Sequence, residues 1–250
     1  MATADSEPAS TSLLARVFAT TQWSVVLSAA DTGSPQAVSA LEKLCRAYWY
    51  PLYAYVRRKG HGAHEAQDLT QEFFSRLFRG DGLADVDRSK GKFRSFLLAS
   101  MNHLLANEYH RARTQKRGGG APHFSLDAIA AEERYSIEPV DHLAPDKLYE
   151  RRWAEALLDR VVVRLRDEWD GRERAQRFDD LKVFLLDAKG VESVEQVASR
   201  LQVTVPAVKS AVQKLRWRYR ELFQEEIAHT VARPEDIEDE IRSLFQALGS

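Results

Sequence analysis

The stretch Ser193 to Phe223, SVEQVASRLQVTVPAVKSAVQKLRWRYRELF, constrains this chain most, because its apolar spacing suits two helices crossing at a tight turn. Ala198 is the small residue such a crossing needs. Val197, Leu201, Val203 and Val208 fall at packing positions, and Val208, Val212, Leu215, Tyr219 and Leu222 step along one face of the second helix. Thr204 is placed to cap that helix, and Pro206 sits in its first turn, where a missing N–H costs nothing. The opposite face carries Lys209, Ser210, Gln213 and Lys214, followed by Arg216, Arg218 and Arg220. These are the donors that phosphates and base edges accept, so the stretch predicts a helix-turn-helix facing DNA. A structural helix pair with a solvated basic face is the plainer alternative.

Helical periodicity continues through the rest of the chain, and no strand-like alternation of useful length interrupts it, so the predicted class is all-α. Residues 1–12 are small and polar and are expected to be disordered. Leu13 to Ala30 suggests a short helical entry. A helix is predicted from Gln36 towards Lys59, kinked or split at Pro51, with Leu41, Leu44, Cys45, Tyr48, Leu52, Tyr55 and Val56 inside. The next spans Ala63 to Phe78 and buries Leu69, Phe73, Phe74, Leu77 and Phe78. After a loop over Arg79 to Gly91 comes a basic helix, Lys92 to Arg113, with Phe93, Phe96, Leu97, Met101, Leu104 and Leu105 as its core stripe. Residues 118–145 hold glycines and prolines and are predicted to be a linker with a short helical piece around Leu126 to Tyr135. Helices are then expected over Lys147 to Trp169 and Phe178 to Ala188, and a final amphipathic one over Glu235 to Leu248, its apolar face being Ile237, Ile241, Leu244, Phe245 and Leu248. The domains expected are 13–117 and 146–225, with 226–250 as an acidic extension.

The formal charge of -1 hides a segregation: eight Lys or Arg against one acid from Arg88 to Arg117, six against none from Arg200 to Arg220, and seven acids against Arg233 alone from Glu225 to Glu240. Two basic blocks in a near-neutral chain point to local contact with a polyanion. The single cysteine, Cys45, rules out an internal disulfide and a cysteine zinc site, and makes a reduced, cytoplasmic location the default. No apolar run has the length of a membrane span. His61, His64, Glu65 and Asp68 imitate a metal cluster at helical spacing, but no second cluster completes a shell, so no metal, cofactor or enzyme activity is expected. The five tryptophans are assigned to cores or domain contacts.

Three segments carry a resemblance to a known family. Ala66-Gln67-Asp68-Leu69-Thr70-Gln71-Glu72-Phe73-Phe74, Gly91-Lys92-Phe93-Arg94-Ser95-Phe96-Leu97-Leu98, and Val208-Lys209-Ser210 within the helix-turn-helix together resemble a bacterial RNA polymerase sigma factor of the extracytoplasmic-function type, which keeps only the second and fourth sigma regions. The resemblance implies two partners, core RNA polymerase and promoter DNA. Asp68, Gln71 and Glu72 would dock on the polymerase. Lys92, Arg94, Asn102, His103, Asn107, His110, Arg111 and Arg113 would meet the minus-ten element, with base flipping at the loop Arg79 to Lys90. Thr204, Lys209, Ser210, Gln213, Lys214 and Arg216 would meet the minus-thirty-five element. Gln67 stands where the family usually has an acid and Thr70 where it has an aliphatic residue. Phosphorylation of Thr70 by a Ser/Thr kinase is therefore an expected way to restore docking charge. Ala211 replaces a frequent Arg, and Gln202 occupies a turn position often given to Gly, which predicts a looser turn. The extension is expected to cap the fourth region, or to mask it in place of an anti-sigma factor. The free chain is expected to be monomeric, and the alternative function is a stand-alone helix-turn-helix regulator.

Overall fold

Spacing of apolar residues at three and four positions dictates helices, and in the described residues helices and short 3₁₀ turns are the regular elements. A computed structural model describes residues 35–78, 92–112, 128–137, 142–169, 171–185, 192–231 and 233–249. The expected disordered start, the Leu13 to Ala30 helix, the loop Arg79 to Gly91, Arg113 and the first part of the linker lie outside them. The helices are α1 (Pro35–Arg58), α2 (Ala63–Phe78), α3 (Phe93–Ala112), α4 (Ala128–Ile137), α5 (Pro145–Asp167), α6 (Arg172–Leu181), α7 (Val194–Leu201), α8 (Val205–Thr230) and α9 (Ile237–Leu248). The all-α class therefore holds. Pro51 does not split α1, which runs through it as one helix. The helix expected over Phe178 to Ala188 instead starts at Arg172, behind Gly171, and tightens into a 3₁₀ turn at Lys182–Phe184.

The described chain divides into two units. One holds the residues up to Ala156 and those from Ile227 onward; the other is Leu157–Glu226. Residues from Ile227 onward, expected to cap or mask the second domain, thus group with the first unit.

In the first unit α1 supplies Leu44, Cys45, Tyr48, Leu52, Tyr55 and Val56, all fully buried, against Phe73, Phe74 and Leu77 of α2 and Phe93, Leu97, Met101 and Leu104 of α3. Aromatic edges lock these faces: Tyr48 meets Phe93 with ring centres 5.5 Å apart, and Tyr55 meets Tyr149 of α5 at 6.2 Å. The short helix in the expected linker packs on α1. Its Glu132 accepts from Arg57 Nε and Nη2 at 3.0 Å each and from the Tyr53 hydroxyl. Gly60, at φ +100°, ends α1 with the Gly60 N–H donating to Arg57 O at 3.0 Å and the His61 N–H to Val56 O at 3.4 Å, a Schellman cap.

The second unit gathers Leu157, Val161 and Leu165 of α5, Phe178 and Leu181 of α6, Val197 and Ala198 of α7, and Val208, Leu215 and Leu222 of α8, all buried. Ion pairs frame it: Arg164 reaches Glu225 at 2.6 Å and Glu226 at 2.8 Å, and Arg218 donates through Nε to both Glu168 oxygens at 2.9–3.0 Å. The Arg218 hydrogen bond holds the Glu168 carboxyl below its ordinary value, against a smaller upward pull from desolvation. A capping box starts α7, with Ser193 Oγ accepting from the Gln196 N–H and the Gln196 side chain accepting from the Ser193 N–H.

The turn between α7 and α8 is well closed, not loose. Gln202 adopts the left-handed conformation (φ 54°, ψ 41°), the Gln202 N–H donates to Ser199 O at 3.2 Å, and the Val203 N–H donates to Ala198 O at 3.0 Å. A side chain in that conformation carries local strain that glycine lacks. Gln202→Gly is expected to stabilise the protein by about 0.5–1 kcal/mol, after the entropy glycine adds to the unfolded chain is subtracted. Urea unfolding of the two proteins side by side measures the difference.

Candidate nucleic-acid interface

Each surface expected to bind a partner is presented by one helix whose other face is core. On α2, Phe73, Phe74 and Leu77 point inward, which turns Asp68 to solvent and leaves Gln71 and Glu72 half-buried. Glu72 accepts from Arg76 Nε at 2.6 Å, and Arg76 also reaches Glu108 of α3 at 3.2 Å, so part of the acidic face is spent on joining α2 to α3. His61 Nδ1 lies 3.0 Å from Glu65. Among the described residues no group of three or more His, Cys, Asp or Glu converges on a metal-sized point, and no helix is long and apolar enough to cross a membrane.

Thr70 is 0% exposed, and its hydroxyl donates to Ala66 O at 2.7 Å. This corrects the expectation of a phosphorylation site. The residue lies on the core side of α2, three and four positions before Phe73 and Phe74, where neither a kinase nor a phosphate has room in the folded chain.

The basic helix α3 separates into two parts. Asn102, His103 and Asn107 are exposed and form a polar row. The Tyr55 hydroxyl donates to Asn102 Oδ1 at 2.6 Å, which fixes the amide so that its N–H groups face away from Tyr55. His103 Nδ1 and Asn107 Nδ2 lie 3.4 Å apart. The row borders a cleft of about 340 Å³ between α2 and α3, whose walls include Phe73, Arg76, Leu77, Phe96 and Ser100. His110 and Arg111 continue the helix, but their side chains, like Arg113, lie outside the described residues.

The start of α3 differs from expectation. Arg94, expected on phosphates, is only 4% exposed. Its guanidinium lies over the Trp153 ring, 4.2 Å from the centroid, and Nη1 donates to Glu240 of α9. Lys92 Nζ is 3.0 Å from the second oxygen of the same carboxylate and also donates to Ser243 Oγ. The Tyr149 hydroxyl donates to Arg94 O at 3.1 Å. Arg94 stands three residues before Leu97 and seven before Met101, on the core stripe; Glu240 stands four before Leu244 and seven before Ala247, on the buried face of α9. Opposite charges at apolar-face positions of two helices were the available signal for this contact. Phe245, expected on that buried face, is 61% exposed instead.

On α8 the row is cleaner. Lys209, Ser210, Gln213 and Lys214 are all exposed. Thr204 stands at the helix start, its Oγ1 accepting from the Ala207 N–H at 3.4 Å. Arg216 is a correction: its Nε and Nη2 donate to Phe184 O at 2.9 and 2.7 Å, pinning the 3₁₀ turn after α6 and turning the guanidinium inward. Trp217, expected in a core or a domain contact, is 62% exposed, and Arg220 is exposed one turn from it. Ala211 is half-buried, a position with a different outlook from the exposed row.

The chain matches the family described as sigma-70 region 2 over residues 44–115, which spans α1 to α3 beyond its first turns. It is similar to the ECF RNA polymerase sigma factor SigE of Mycolicibacterium smegmatis, with 25% identity over 199 residues, covering 80% of this chain and 67% of that protein. No solved structure matches.

The burial of Thr70 yields a test opposite in sign to a phosphorylation switch. Thr70→Glu places an unpaired charge in the α1–α2 core and is expected to cost at least about 3 kcal/mol. Thr70→Val, which removes only a hydroxyl bonded within its own helix, is expected to cost within about 1 kcal/mol. Thermal melts of both variants check this.

Proposed function

We propose that this chain, which belongs to the extracytoplasmic-function sigma factors of the sigma-70 family and so acts in transcription initiation with core RNA polymerase, reads a promoter at two points with two different helices. The row Asn102, His103 and Asn107 on α3 meets the minus-ten element, and the row Lys209, Ser210, Gln213 and Lys214 on α8 meets the minus-thirty-five element. The observation that carries this is the exposure of both rows on helices whose opposite faces are core, one in each unit. Amides and imidazoles held at that surface match base edges, and the lysines match phosphates.

The exposed N-terminal half of α8 favours entry of that end into the major groove. On α2, Asp68 with the partly buried Gln71 and Glu72 supports an acidic docking patch for a basic surface of the polymerase. Glu72 keeps Arg76 as a neighbour, so Asp68 carries most of the free charge of this patch.

The competing reading, a helix-turn-helix regulator that binds DNA without joining the polymerase, differs in one measurable outcome. Purified protein added to core polymerase is expected to produce run-off transcripts from a promoter that core alone ignores; a stand-alone regulator gives none. Within the active holoenzyme, Gln213→Ala is expected to lose about 1–3 kcal/mol of discrimination at one base pair of the minus-thirty-five element. Lys214→Ala is expected to weaken all sequences alike and reduce the salt slope by about one. Binding titrations over a set of single-base promoter variants at several salt concentrations separate the two effects.

A further inference from the structure

We infer that Lys92, Arg94 and the positive end of α3 form a binding site for a nucleic-acid backbone phosphate, filled within the chain by the carboxylate of Glu240, so that α9 must leave before the site takes DNA. The inference rests on the proposed reading of promoter DNA by α3.

The groups are those a phosphate site uses. Two cations two residues apart converge on one anion: Arg94 donates through Nη1 to one oxygen of Glu240, and Lys92 Nζ lies 3.0 Å from the other. Helix α3 begins at Phe93, so the positive end of its backbone dipole is at the same place, where anions bind favourably. The Arg94 guanidinium lies against the Trp153 ring, and its Nε has no hydrogen-bond partner among the described residues although the side chain is 5% exposed. A carboxylate engages one edge of such a fork. A phosphate, with three or four acceptor oxygens, has the further acceptor that Arg94 Nε calls for.

The occupant is held in a way that permits exchange. Glu240 is 0% exposed, yet of the apolar side chains of α9 only Leu244 and Ala247 are buried, while Ile237, Ile241 and Leu248 are half-covered and Phe245 is largely in solvent. Beside Leu244 and Ala247, the helix is fastened by one buried carboxylate, and a polyanion competes directly for the partners of that side chain. Its exposed surface, including Glu238 and Asp239, is acidic and repels DNA while α9 stays in place.

The test uses the full chain, with fluorescent mixed-sequence duplex DNA as the probe. Glu240→Gln keeps the shape of the side chain and removes its charge. The variant is expected to bind the duplex about tenfold more tightly than the unmodified protein, with a salt slope steeper by roughly one to two, the contribution of two released cations. Unchanged affinity and slope overturn the inference and leave Glu240 as a structural pin. Hydrogen exchange on the unmodified protein guards against a variant that fails to fold: α9 amides are expected to lose protection when saturating duplex is added, and equal protection with and without DNA overturns the inference. Run-off transcription with core polymerase is scored separately. If the unmodified protein initiates but Glu240→Gln gains no affinity, this inference falls and the proposed function stands. If the variant gains affinity and neither protein initiates, the reverse holds.

Discussion

The first unit depends on a charge buried where an apolar side chain would ordinarily sit. Arg94 and Glu240 are 146 residues apart in the chain, both are shielded from water, and each occupies a core-facing position on its helix. Removing two charges from water costs several kcal/mol per ion, and their attraction recovers this only with good geometry and further hydrogen bonds. Trp153 beneath the guanidinium and Lys92 beside the carboxylate supply part of that recovery. Apolar surfaces tolerate sliding, whereas a paired charge accepts one register. The pair therefore specifies how α3, α5 and α9 meet more sharply than Leu97, Leu148 or Leu244 would.

The ends of helices do comparable work at the other surfaces. Gly60 closes α1 in a Schellman cap, and three residues later α2, with its exposed acidic face, begins. Gln202 does the same between α7 and α8 without the help of glycine, and its αL geometry sets the direction in which Lys209 and Gln213 leave the surface. Arg216 adds a strut from α8 to the turn after α6. Its place after Lys214 in a basic run suggests a contact with DNA, yet its two hydrogen bonds tie α8 to the turn after α6.

Periodicity made most of the fold legible. The span Ala63 to Phe78 is seen as expected, and α3, α5 and α9 begin and end within about two residues of their expected limits, because apolar stripes, glycines and prolines act locally. Residue character misled where position mattered more. Its charge suggests that Arg94 lies off the core, and its ring that Trp217 lies in a core or a domain contact; helical phase puts Arg94 on the core stripe and Trp217 off it. Thr70 resembled a modification site through its hydroxyl, but its phase matches Phe73 and Phe74, and burial followed phase. The partner of the acidic tail was not readable, since charge complementarity alone offered two basic blocks, and only long-range packing chose the start of α3.

Cys45 has a consequence for how the protein is handled and for what it can sense. The thiol is 3% exposed, and burial, reinforced by the nearby charge of Glu42, pushes it up to about 12, so almost none is thiolate at neutral pH. It is the single cysteine in the chain. Thiol-directed oxidants and alkylating reagents thus find no reactive thiolate in the folded protein. The same silence suits spectroscopy: a cysteine introduced on an exposed turn of α9 or α8 can carry a dye alone, with Cys45 left in place.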